Sequence, residues 1–143
     1  MWGIYVRRGK VFIPTQFKAE AGFYVSGEPV FVSDLSDLES TARSIAQILS
    51  RGCVTIPTPP VSKLEKWVVL RHAGVSSPAA FEKGASCWTV QKDRATYRFG
   101  PVKKIYPRGW ETEPEKPYLL SGNLNISDVA EEIARKILDT EKV

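Results

Sequence analysis

Residues 1–14 read MWGIYVRRGKVFIP. Residues 2–7 alternate, with Trp2, Ile4 and Val6 on one face of a strand and Tyr5 and Arg7 on the other. Arg8-Gly9-Lys10 is turn chemistry, and 11–14 is the returning strand. Pro14 has no N–H to give, so the strand is expected to end there or to lie at an edge. Further out, GFYVS (22–26) and PVFVS (29–33) flank Gly27-Glu28, which reads as a second hairpin. The N-terminal third thus predicts a four-stranded meander or two stacked hairpins. Trp2 and Tyr5 point to opposite faces, so one of these rings is expected to be exposed or covered by another element.

Helical patterning follows. Ser36-Asp37-Leu38-Glu39 fits a capping box, and Leu38, Ala42, Ile45 and Leu49 form one stripe of a helix running to Arg51. Gly52 is placed to end it. Residues 53–57 (CVTIP) read as a short strand, and Thr58-Pro59-Pro60 as extended linker. Residues 62–73 carry both signals: Leu64, Trp67, Val68 and Arg71 have helical spacing, whereas Trp67-Val68-Val69-Leu70 suits a buried strand. Strand is the expectation. Ser77-Pro78 opens a short helix through Phe81, with Gly84 ending it. Residues 86–92 and 95–99 alternate around Asp93-Arg94 as a third hairpin, and 102–106 add a further strand. Residues 107–122, rich in Pro, Gly and Glu, read as a long surface loop. Ser127 caps a final helix over 128–141, with Val129, Ala130, Ile133, Ala134, Ile137 and Leu138 on its apolar stripe. The fold class expected is α+β: one domain over residues 1–143, with a mostly antiparallel sheet packed against two amphipathic helices.

The 143 residues are 43% hydrophobic and 25% charged, which suits one folded domain and excludes collagen-like, disulfide-scaffold and wholly disordered classes. The N-terminus lacks the apolar core of a signal peptide, and no apolar run approaches the ~20 residues that span a bilayer. The expectation is a cytoplasmic protein without membrane association, with Cys53 and Cys87 reduced. One histidine and two cysteines are too few for the usual zinc sites. No Walker A, Gly-x-Gly-x-x-Gly or Gly-x-Ser-x-Gly sequence occurs. No metal, cofactor or enzymatic activity is expected.

Four local patterns could still carry function. His72 is a candidate general base if the fold brings a cysteine or carboxylate to it; otherwise it is structural. Cys87, beside Trp88 in an alternating strand, reads as a packed core thiol. From 83 to 110, Lys92, Arg94, Arg98, Lys103, Lys104 and Arg108 interleave with Trp88, Tyr97, Phe99, Tyr106 and Trp110. Such a surface can track phosphates and stack bases, or it can be the solvated face of a sheet. Charge is uneven as well: residues 61–109 hold ten basic and three acidic residues, and 110–143 hold four and eight. Glu111, Glu113 and Glu115 alternate in a Pro-held extended segment and would align on one side. They read as a solvated loop or as a docking surface for a basic protein. Trp110 beside them is an exposed anchor or a ring folded back on the core.

MWGIYVRRGKVFIPTQFKAEAGFYVSGEPVFV, with FEKGASCWTV at 81–90, resembles immunity proteins of bacterial contact-dependent growth inhibition systems, which are encoded beside polymorphic toxins. The resemblance covers about the first 33 residues and 81–90. It implies a cytosolic, non-enzymatic protein that binds a cognate toxin domain, often a nuclease, and covers its active site or a required surface. Immunity families differ too much for binding residues to be carried over by position. Inhibitors of basic nucleases are often acidic, whereas this chain carries +4; its acidic tail would have to supply a local negative face. Trp110, Glu111, Glu113 and Glu115 are the expected partner-binding residues. The alternative is a nucleic-acid-binding module using Lys92, Arg94, Arg98, Lys103 and Lys104.

Overall fold

The computed structural model describes residues 1–60 and 67–141. Strand β1 (Trp2–Arg7) turns into β2 (Lys10–Ala19) through Arg8 and Gly9, both at positive φ (49° and 75°). Two successive residues of that kind match the twist of a tight hairpin. Then follow β3 (Tyr24–Asp34), α1 (Leu38–Arg51) and β4 (Val54–Ile56). Two short helices, α2 (Val69–Ala73) and α3 (Pro78–Glu82), precede β5 (Ala85–Lys92) and β6 (Thr96–Val102). The described chain ends with β7 (Tyr118–Ser121) and α4 (Ile126–Glu141). Among the described residues the seven strands form one sheet in the order β3-β2-β1-β5-β6-β7, with β4 joined parallel to the end of β2. Every other pairing is antiparallel, so the fold is α+β.

Both faces of the sheet are covered, which the alternation in β1 requires. Trp2, Ile4 and Val6 enter the larger core with Trp88, Val90, Tyr97 and Phe99, sealed by Ile45 and Ile48 of α1 and Ile133 and Ile137 of α4. Tyr5 faces the other way, into a smaller cluster of Phe12, Val69, Leu70 and Phe81. Its ring meets Trp67 edge-on at 4.7 Å and Trp110 at 5.6 Å. Gly3 leaves room for the Tyr5 hydroxyl, which would lie 2.9 Å from an added Cβ.

Several elements differ from the sequence reading. Gly27-Glu28 is not a hairpin, and Pro14 does not end its strand; the first sheet segment has three strands. β3 runs through as one strand because β2 is long enough to pair with both of its halves. Register jumps from Pro14↔Val30 to Thr15↔Gly27, leaving Glu28 and Pro29 as a bulge. Pro29 cannot donate to a ladder, and its carbonyl instead accepts from Thr15 Oγ1 at 2.7 Å. The reversal falls at 20–23, where Gly22 has φ 102°.

Val69–Ala73 is a helix rather than a strand; residues 62–66 of that ambiguous stretch lie outside the described residues. Only Val69 and Leu70 are buried there, while Arg71 and His72 face outward, and Gly74 (φ 71°) closes the turn. Burial on one side only favours the helical period over the β propensity of Val and Leu. The caps also shift. Asp37, not Ser36, accepts the Ser40 N–H at 3.0 Å. Asn125, not Ser127, accepts the Asp128 N–H at 2.8 Å. Residues 102–106 are not a strand: β6 ends at Val102, and only Lys104 bridges to Trp110. The expected 107–122 loop contains β7, because Tyr118 and Leu120 extend the core face of the sheet beside Phe99 and Tyr97. Among the described residues no helix is long and apolar enough to cross a membrane.

Candidate functional site

Between β6 and β7 the chain crosses the second face of the sheet as a strap, residues 103–117. Its base is Glu82, whose residue is 8% exposed at the end of α3. The Glu82 Oε1 accepts from the Gly109 N–H and from Lys104 Nζ, both at 2.6 Å. Desolvation pushes this carboxyl up, but Lys104, the Gly109 N–H and nearby Arg108 outweigh it and hold it below its ordinary value. Trp110 packs on Tyr5 from the same side. Thr89 Oγ1 donates to the Thr112 carbonyl at 3.0 Å. Pro114 is buried against Gly100, where an added Cβ would come within 3.0 Å of the Pro114 Cβ. Glycine at 100 therefore lets the strap lie flat.

The two rival patches of the sequence reading meet at the strap in two ion pairs, while Lys92 lies on the opposite face of the sheet, beside Tyr97 of the larger core. Glu113 pairs with Arg98 at 3.4 Å and accepts from Gln91 at 3.1 Å. Glu115 pairs with Lys103 at 3.2 Å. Lys104 belongs to Glu82, and Lys92 Nζ lies 5.1 Å from the centre of the Tyr97 ring. Glu113 and Glu115 thus compensate Arg98 and Lys103 across the strap. Glu111 and Arg94 are exposed and have no ion-pair partner among the described residues. Trp110 is half-buried and folded back on the smaller core, so it is not the free anchor that the sequence allows.

His72 meets a carboxylate and not a thiol. Its Nε2 is 2.6 Å from Glu28 Oε1, and Arg71 donates to the same oxygen at 3.0 Å. The His72 hydrogen bond above all holds Glu28 below the ordinary carboxylate range; desolvation, the next effect in size, opposes it, and Arg71 adds to the lowering. This cluster ties α2 to the β3 bulge. Cys87 is buried, and desolvation pushes its thiol up to about 12 despite a hydrogen bond with Tyr5. It borders a cavity of about 390 Å³ shared with Gly3, Tyr5, Trp67 and Trp110. Cys53 and Cys87 are both free thiols. Among the described residues no group of three or more His, Cys, Asp or Glu is arranged to hold a metal ion.

Two residues of the expected 102–106 strand, one of them Tyr106 of the interleaved basic-aromatic pattern, stand exposed on the strap instead. Tyr106 is 86% exposed and Ile105 42%. The signal available was Tyr106-Pro107-Arg108-Gly109, whose Pro-x-Gly chemistry marks a tight reversal rather than a strand. Glu82 carried no sequence signal at all.

No protein-family model matches the chain, and no curated protein matches it. Among solved structures, a protein of unknown function from Neisseria meningitidis has a similar fold, with a TM-score of 0.65. The alignment covers 94% of this chain and 92% of that one at 12% identity. The likeness is one of fold alone.

Proposed function

We propose that this chain is a non-enzymatic binding protein that neutralises a cognate toxin domain by covering its active site or a required surface. The reading rests on the resemblance of residues 1–33 and 81–90 to immunity proteins. The observation that carries it is the strap: a preordered surface segment that holds a large aromatic ring out in solvent. Such a segment serves protein recognition, because little conformational freedom is lost on docking. The docking surface is the strap as a whole, with Trp110 and Tyr5 as its floor and Glu111, Glu113 and Glu115 along one flank. Nucleic-acid binding through Lys92, Arg94, Arg98, Lys103 and Lys104 is less favoured, since Glu113, Glu115 and Glu82 already engage three of these five cations.

The test pairs this protein with the toxin domain encoded immediately upstream, where one is present. Stoichiometric one-to-one capture, together with rescue of growth in cells expressing that domain, is the expected result. Absence of both capture and rescue overturns the reading. Steeply salt-dependent binding to a DNA or RNA oligonucleotide, with no protein capture, would install the nucleic-acid reading instead.

A further inference from the structure

The tip of the strap is built to be rigid. Its backbone closes through Ile105 N–H to the Gly109 carbonyl at 2.9 Å and Glu111 N–H to the Lys103 carbonyl at 2.8 Å. Gly109, at φ 85°, makes the reversal. Glu82 clamps both Gly109 and Lys104 from below. Lys104 Nζ then lies 5.4 Å from the centre of the Tyr106 ring and 5.6 Å from that of Trp110. A buried carboxylate thus holds, through one cation, the aromatic ring that water would otherwise drive down onto the surface. Tyr and Arg are the side chains that most often dominate binding energy at interfaces, and Arg108 stands two residues from Tyr106.

Beside this tip lies a cleft of about 470 Å³ whose lining includes Glu82, Lys83, Lys104, Tyr106 and Arg108. Three cations face one carboxylate, and Lys104 already takes that carboxylate. Lys83 and Arg108 have no carboxylate within ion-pair distance among the described residues. The Arg108 guanidinium donates to the Pro107 carbonyl at 3.1 Å.

We infer that residues 105–108 are the docking anchor, with Tyr106 entering an apolar pocket on a protein partner whose acidic rim meets Lys83 and Arg108. The inference rests on the toxin-neutralising reading and names the face covered: a carboxylate-rimmed pocket rather than a basic groove. A protein occupant is favoured over a phosphate backbone because the cationic track stops at the tip. Arg98 and Lys103, which would continue it along the sheet, are neutralised by Glu113 and Glu115.

Two experiments test this. First, the toxin domain captured in the preceding test is titrated with wild type, Tyr106→Ala, Arg108→Glu and the control Leu119→Ala, an exposed position on β7. Circular dichroism checks that each variant folds. Tyr106→Ala and Arg108→Glu are each expected to weaken binding tenfold or more, and the control less than twofold. Binding within twofold of wild type for Tyr106→Ala overturns the anchor and leaves the toxin-neutralising reading standing. Second, Tyr106→p-benzoylphenylalanine in the full chain is photocrosslinked in its own cells, with the same substitution at Leu119 as control. The expected adduct joins position 106 to a peptide rich in Asp and Glu, and Lys83→Glu reduces its yield. If that peptide belongs to another protein, the toxin reading fails and the anchor stands. No adduct, an adduct with nucleic acid, or one with a peptide lacking acidic residues overturns the anchor.

Discussion

Glu82 stabilises the strap through a charge that is almost out of water, so its removal is felt on both sides. Glu82→Gln leaves Lys104, only 24% exposed in its side chain, without its carboxylate. The expected cost is about 1–3 kcal/mol, read from urea unfolding. The pH dependence has a definite sign. The carboxyls of Glu82 and Glu28 both lie below their ordinary value of 4.5 in the folded protein. Their contribution is therefore complete above that value and is lost as pH falls through the lower folded values. Between neutral pH and pH ~3, Glu82→Gln is expected to lose less stability than wild type does, measured by the same unfolding at each pH. Cys87 makes a different prediction. With its thiol at about 12, roughly one molecule in ten thousand is thiolate at pH ~8. Iodoacetamide should leave Cys87 unmodified in the native protein and label it once urea is added, as peptide mass spectrometry would show. Labelling of native Cys87 at the rate of an unfolded thiol would contradict this burial.

Elements show where local chemistry decides and where it does not. The turn at Arg8-Gly9, the stop at Gly52, the Ser77-Pro78 helix start and the hairpin at Asp93 were all legible, because each is determined within four or five residues. Asp93 illustrates this: its side chain accepts the N–H of both Ala95 and Thr96. The β3 bulge was not legible at Gly27-Glu28, because the length of β2, its partner, decides between a turn and a continuing strand. Val69–Ala73 is ambiguous in sequence for a related reason: the smaller core covers one side of it only, and that core is assembled by distant segments. The candidate site fared worst. Its ion pairs join residues 12 to 22 positions apart, as in Lys103–Glu115, Arg98–Glu113 and Lys104–Glu82, so charge runs that look like two patches meet in ion pairs at the strap. At this scale Gly100→Ala is the informative change. Its methyl would press on Pro114 at 3.0 Å and lift the strap. Faster hydrogen exchange across 111–117, with exchange in α4 little changed, is the expected outcome. Equal exchange in both variants would mean that the strap accommodates the methyl.

Across the whole molecule, the two faces of the sheet are secured by different physics. One is sealed by long apolar stripes on α1 and α4; the other carries short helices, aromatic edge contacts and exposed ion pairs. Exposed pairs are screened by salt, while apolar burial is not. Raising sodium chloride to about 1 M should therefore speed hydrogen exchange in residues 103–117 and leave the global urea midpoint nearly unchanged. A large fall in the midpoint would show that the strap carries the fold rather than decorating it. The position of β1 has a consequence of another kind. It sits in the middle of the sheet, between β2 and β5, yet it leaves the ribosome before either. Its far neighbour begins at Ala85, and α4, which with α1 seals its apolar face, begins at Ile126. At common rates of synthesis that interval is on the order of ten seconds. Throughout it a nascent Trp-Gly-Ile-Tyr-Val segment has β2 on one side and α1 above it, while its β5 side stays an open strand edge.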